Sequence, residues 1–206
     1  FNSNLSGLLW SSYYGGTNAD AAYSIQLNSL NQPIITGGTL SSDLTMSSGQ
    51  NTAPFGDVDG FIIKLNTAGS TLINSTYIGT VAYDQSYFVQ VDLNDDIYVF
   101  GQSQGTYNIT PSTVFSNPGS GQFIHKFDAN LATTIFSTVF GSGNGINISP
   151  SAFLVSDCGL IYISGWGGNT NAGYAGGNTI GMQLTADAFQ ATTDGSDFYL
   201  GVFNPG

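Results

Sequence analysis

Arginine and glutamate are absent from this 206-residue chain, and lysine occurs only as Lys64 and Lys126. Two cations cannot neutralise a run of phosphates, so no nucleic-acid partner is expected. Glu, Arg and Lys are also strong surface helix formers, and their scarcity argues against helices. His125 and Cys158 are single copies, which leaves little for acid–base or nucleophilic work. One thiol also rules out an internal disulfide or a cysteine-based zinc cluster. No apolar run approaches the length of a transmembrane helix, so membrane insertion is not expected. With no leader apparent, the chain reads as an internal piece of a longer protein.

What is present is aspartate, glycine and aromatic side chains. All thirteen acids are Asp, and the formal net charge is −11. That charge keeps a chain soluble and repels anionic membranes. Aromatics make up 13% of the residues, in regularly spaced apolar clusters, which distinguishes the chain from a disordered Gly/Ser/Asn tract. With 28 glycines beside them, the composition is that of an all-β protein.

Internal repetition decides the architecture. Ser12-Tyr13-Tyr14-Gly15 recurs as Thr76-Tyr77-Ile78-Gly79 and as Thr138-Val139-Phe140-Gly141. Ile34-Ile35-Thr36-Gly37 returns as Tyr98-Val99-Phe100-Gly101 and as Tyr162-Ile163-Ser164-Gly165, its glycines 64 residues apart each time. Asp59-Gly60-Phe61-Ile62-Ile63-Lys64 returns as Gly121-Gln122-Phe123-Ile124-His125-Lys126, and its third copy is read as Ser196-Asp197-Phe198-Tyr199-Leu200-Gly201. The repeat units are approximately 8–69, 70–130 and 131–206. Each contains four short β-type runs, in the middle unit about 71–78, 87–92, 97–101 and 123–128, with alternating patterns such as Phe123-Ile124-His125-Lys126-Phe127. Four antiparallel strands per repeat are the unit of a β-propeller blade, so this segment is expected to hold about three blades. Closed rings take roughly four to eight blades, so further blades are expected from elsewhere. Long segments separate the third and fourth runs of each unit, and Phe55, Phe115 and Phe189 are expected to anchor them.

These landmarks resemble the SBBP family, a bacterial β-propeller repeat, most clearly in Ser75-Thr76-Tyr77-Ile78-Gly79, Asp96-Ile97-Tyr98-Val99-Phe100-Gly101 and Asp59-Gly60-Phe61-Ile62-Ile63-Lys64-Leu65-Asn66. The third unit, with Gly165-Trp166-Gly167-Gly168 and Ala188-Phe189-Gln190, looks like large Bacteroidota surface proteins. The resemblance implies a secreted or cell-surface module, exported by type IX secretion and associated with gliding-motility and PKD-like domains. It also implies that the remaining blades and domains belong to the same parent chain. The first unit departs from the pattern at Ile35-Thr36, and the third lacks the lysine found at 64 and 126.

Candidate sites are few. His125 shares its slot with apolar residues in the other units and is expected to be a satisfied, partly buried side chain, not a catalyst. A Ser-His-Asp arrangement would need a dedicated nucleophile beside this one histidine, and no catalytic residue is assigned. The Asp pairs Asp57/Asp59, Asp95/Asp96 and Asp194/Asp197 could gather oxygen ligands for structural calcium, the one cofactor to be considered, against ordinary turn chemistry. Trp166, Asn169 and Tyr174, in the longest glycine-rich loop, are candidate contacts for a surface glycan or surface protein. The expected function is non-enzymatic, structural or adhesive. The alternatives are a subunit of a self-assembling extracellular filament, whose open repeat edges would pair, and a carbohydrate-active enzyme using two Asp, which the residue inventory disfavours.

Overall fold

A computed structural model describes residues 4–168 and 177–205. Among these there is no helix, and hence none long and apolar enough to cross a membrane. Eleven strands form three antiparallel sheets, none closed into a barrel. The first holds β1 (Asp20–Leu27), β2 (Pro33–Thr39), β3 (Asp59–Leu65) and β4 (Leu72–Ile78) in sequence order. The second repeats the order with β5 (Asp84–Val91), β6 (Ile97–Ser103), β7 (Gln122–Phe127) and β8 (Thr134–Phe140). The third has β9 (Ser149–Val155), β10 (Ile161–Trp166) and β11 (Phe198–Phe203), with β11 at an edge.

Except for the first run of the first unit, around Ser12-Tyr13-Tyr14, which forms no strand, the strands lie where the sequence places them, but they are shared out differently. The 71–78 run, read as the first strand of the middle repeat, pairs as β4 with β3 and closes the first sheet. β8 does the same for the second sheet. The sheets thus run one strand out of phase with units 8–69, 70–130 and 131–206. In the third copy the ladder is also offset by one residue from the reading by motif. Gly37 and Gly101 face Phe61 and Phe123, whereas Gly165 faces Tyr199 and not Phe198. Because side chains alternate across a strand, this one-residue offset reverses which of them point inward.

Turns repeat with the same backbone bonds. Asn28 N–H donates to Gln32 O and Asn31 N–H to Asn28 O. The 92–96 and 156–160 turns make the equivalent pairs. The residue that must take positive φ is Asn31, Asp95 or Gly159, with φ of 57°, 64° and 83°, the conformation of a bulged short hairpin. Asn28 Oδ1 and Asp92 Oδ1 each accept backbone N–H groups two and four residues on, so one of the expected functions of Asp is local turn closure.

The sheets stack face to face. Ile34, Ile62 and Ile78 of the first meet Val89, Val99, Phe123 and Val139 of the second. On the opposite face of the second sheet, Tyr98, Phe100, Ile124 and Phe140 meet Phe153, Ile161 and Ile163 of the third. β6 therefore reads as a continuous apolar run because both its faces are buried. β5 packs on β1, β2 and β3, and β9 on β5 and β6.

The long segments join the second and third strands of each sheet, and two of them follow a specific course. Residues 47–51 run along the outer edge of β4, with Tyr77 N–H donating to Asn51 O at 2.8 Å. Residues 108–117 do the same for β8, where Ser137 and Thr110 exchange backbone bonds of 2.7 and 3.0 Å. These loops cover edges that would otherwise offer unpaired N–H and C=O groups. The expected phenylalanine anchors are not what holds the loops. Phe55 and Phe115 are only part-covered, at 37% and 54% exposure, with Phe115 against Phe203 at 5.7 Å, and Phe189 is 107% exposed. Leu44, Tyr107 and Met182 are the buried apolar side chains described in these loops, Tyr107 stacking on Phe123 at 4.2 Å. Their burial was missed because they lie mid-loop, while the phenylalanines sit nearer the following strand.

Candidate functional site

Two polar clusters stand at opposite ends of the strands, one part-buried on the second sheet and the other buried between the first and second. At the hairpin end, β7 carries Lys126 across the sheet to the β5–β6 turn. Its Nζ lies 2.9 Å from Asp92 Oδ2 and 2.9 Å from Asp96 Oδ2, and 4.7 Å from the centre of the Tyr98 ring. Burial alone would push the Lys126 pKa down, but Tyr98 and the two carboxylates outweigh it and raise the ammonium above its ordinary value. Burial pushes Asp92 up, yet the hydrogen bond from Lys126 and the N–H groups of Asn94 and Asp96 hold it below the usual carboxylate range. A cleft of about 380 Å³ opens beside this cluster, lined by Leu93, Ile135 and Cys158 among others. Cys158 is exposed, 3.2 Å from the Ser156 hydroxyl.

Lys64 occupies the corresponding place on β3 without a carboxylate. It donates to Ala129 O at 2.6 Å, and burial lowers its pKa. His125 is satisfied on both nitrogens, by the Tyr107 hydroxyl at 2.9 Å and the Thr134 hydroxyl at 2.8 Å. Burial takes its pKa down to about 3, so the ring is neutral at physiological pH. It stacks on Phe127 at 4.0 Å and reads as a packed aromatic.

At the long-loop end, Asp59 and Asp84 are fully buried near one another. Asp59 Oδ2 accepts from Phe55 N–H at 2.9 Å, and Asp84 Oδ2 accepts from the N–H and hydroxyl of Thr80 at 2.6 and 2.8 Å. Their other oxygens, and the Ser86 hydroxyl, are buried without a hydrogen-bond partner. Burial pushes both carboxyls up, and for Asp59 the neighbouring Asp84 adds to the rise. Asp84 went unnoticed in the sequence. The signal that marks it is the Gly-x4-Asp spacing shared by Gly79/Asp84 and Gly15/Asp20, where Asp20 Oδ2 likewise accepts from Gly16 N–H. In the third sheet Asn147 plays the same part, accepting from Ser142 N–H at 2.8 Å and donating to Ser142 Oγ and Asn178 O.

This comparison yields a direct expectation. Asp84→Asn keeps the acceptor for Thr80 and converts the orphaned oxygen into an uncharged donor. It should stabilise the chain by about 1 kcal/mol at pH 7, the scale of replacing an uncompensated buried carboxylate by a neutral amide. A folded-state pKa above the ordinary value means the native state binds the extra proton. Wild-type stability therefore falls as pH rises from the ordinary aspartate pKa through the raised one, and the variant should lose that part of the slope. Urea unfolding from acid to neutral pH measures both; an Asp84→Asn protein less stable than wild type at pH 7 would refute it.

The calcium candidates do not converge. Asp57 is exposed while Asp59 is buried. Asp95 accepts from the N–H and hydroxyl of Ser29 at 2.8 and 2.6 Å, tying the hairpins of the first two sheets together. Asp96 is held by Lys126. Asp194 accepts from Ser196 N–H at 2.9 Å, and Asp197 lies 3.5 Å from the Gln190 amide. Among the described residues no three of His, Cys, Asp or Glu gather into a metal-binding group. Of the ligand candidates, Trp166 ends β10 half-buried, paired in the ladder with Phe198; Asn169 and Tyr174 lie outside the described residues.

A cavity of about 1600 Å³ lies between β11 and the long loop before it. Its walls include Phe136 and Thr138 of β8, Leu184 and Phe189 of the loop, and Tyr199 and Phe203 of β11. The chain matches no protein-family model, and no curated protein is detectably similar to it.

Proposed function

We propose that each sheet is one blade of a β-propeller and that the chain is a non-enzymatic structural or adhesive module of a larger secreted or cell-surface protein. The stacking carries this reading: the middle sheet is buried on both faces, and β1, β5 and β9 pack successively on one another, as blades do around an axis. The repeat landmarks and their SBBP resemblance point the same way, toward export by type IX secretion with the remaining blades in the same parent chain. Charge favours a solvated surface module, with a formal net charge of −11 and almost no cations. Two long loops guard their own sheet edges, so ligand capture would fall to the third loop, around Trp166 and the exposed Phe189.

Electron microscopy of the full-length parent protein tests the proposal. A compact ring is the expected image; fibres with this segment in the subunit contacts would replace it with the filament reading. Binding to a glycan panel separates adhesive from purely structural service.

A further inference from the structure

The two joints between sheets are made by equivalent strand starts with different chemistry. Where the third sheet docks on the second, the meeting groups are amides. Gln122 Oε1 accepts from Asn147 N–H at 3.1 Å, and the Gln102 and Gln122 side chains both donate to Ile148 O, at 2.6 and 3.1 Å. Asn147 is satisfied in turn by Ser142 and Asn178 O. None of these groups gains or loses a proton between acid and neutral pH.

Where the second sheet docks on the first, glycines replace both glutamines. Gly38 and Gly60 face each other in the ladder as Gln102 and Gln122 do, and the Gln85 side chain and Ser86 hydroxyl of β5 lie over them. β3 and β5 begin against one another here, with Asp84 N–H donating to Val58 O at 2.7 Å. The acids at those two strand starts, Asp59 and Asp84, are 1% and 0% exposed. Each keeps one oxygen without a partner, and the Ser86 hydroxyl has none.

The surroundings supply no countercharge. Lys64 and Lys126 are both engaged at the hairpin end. The titratable groups facing the pair are Asp57 on the loop before β3, Tyr77 of β4, Tyr83 just before β5 and Tyr107 of the second long loop, with Asp20 and Asp43 beyond Tyr77. His125 stands behind Tyr107, its pKa down to about 3. Each of these neighbours is acidic or neutral, and two neighbouring buried carboxyls resist ionising together. The three orphaned atoms include one donor, the Ser86 hydroxyl, against two carboxylate oxygens, so one added proton balances donors with acceptors.

We propose that Asp59 and Asp84 hold one proton between them and form a pH-sensitive latch on the first joint, closed while the proton is bound and loosened when it leaves. Burial raises both carboxyls, so the closed joint keeps a proton that exposed aspartates have lost. The latch is therefore fully closed below the ordinary aspartate pKa and weakens as pH rises through the raised one. Loosening is confined to the long-loop end, because the bonds of Ser29 to Asp95 and of Lys64 to Ala129 O keep the hairpin end tied. The second joint, with Asn147 in the place of Asp84, has no such proton to lose. The inference needs only these two sheets and holds whether the module is adhesive or structural.

Hydrogen exchange on the 206-residue chain from about pH 4 to 8, corrected for the intrinsic exchange rate, tests it. The amides of Phe55, Thr80 and Asp84 should lose at least about tenfold in protection across the range, and at most about tenfold per pH unit, the limit for one proton. The matching amides of the second joint, Ser142 and Asn147, should change by less than about twofold. Replacing both acids, by Asp59→Asn with Asp84→Asn, should remove the dependence. The second joint is a control inside the same molecule, so wild type decides the question even where the double variant folds poorly. Protection indifferent to pH at the first joint, or falling alike at both, would overturn the latch. So would a fall of about a hundredfold per pH unit, which means two separate protons. Neutral-pH protection that calcium restores and a chelator removes would also overturn it, by giving the oxygens a cation instead.

Discussion

Phe100→Ala is expected to destabilise the chain by about 3–5 kcal/mol, the range for removing a buried phenylalanine and leaving a cavity. Phe100 is 0% exposed on β6, with Phe88 at 6.5 Å on its own sheet and Phe140 and Phe153 at 5.8 and 5.7 Å. Phe153 belongs to β9, so the ring joins the second sheet to the third. Surrounding strands are tied into ladders and cannot close over the space, which places the loss toward the upper end. Urea unfolding should show a lower midpoint with an unchanged slope if the sheets still unfold together. A lower slope would mean that the third sheet had come loose in the native state. A loss under about 1 kcal/mol would show that the interface between these sheets is not a packed core.

Lys126→Met should cost about 3 kcal/mol, because it strands Asp92 and Asp96 side by side with little solvent. Lys64→Met is the control. Lys64 is more deeply buried than Lys126 but offsets no contacting carboxylate, so its replacement by a similar apolar volume should lie within about 1 kcal/mol of wild type. The pH profile separates charge from packing. Asp92 is held below its ordinary pKa, so the stabilisation from the cluster is present above the ordinary aspartate value and is lost as pH falls through the depressed one. Lys126 is raised, so the same stabilisation is complete below the ordinary lysine pKa and is lost as pH rises through the raised value. The difference between wild type and Lys126→Met should therefore be flat across neutral pH and shrink at both extremes. A difference independent of pH would assign the effect to the lysine stem packed on Tyr98.

The sequence alone determined that this chain is all-β and where most of its strands lie. Those properties depend on side-chain alternation, turn residues and the near-absence of helix-forming charges, all of which are local. Tertiary structure decided which strands share a sheet, since a repeat has a period but no phase until hydrogen bonds across long loops choose partners. It likewise decided that Tyr199, not Phe198, faces Gly165, because a motif can slide by one residue where a ladder cannot. The meeting of Asp59 with Asp84 joins residues from two sheets and could not be seen in either motif separately.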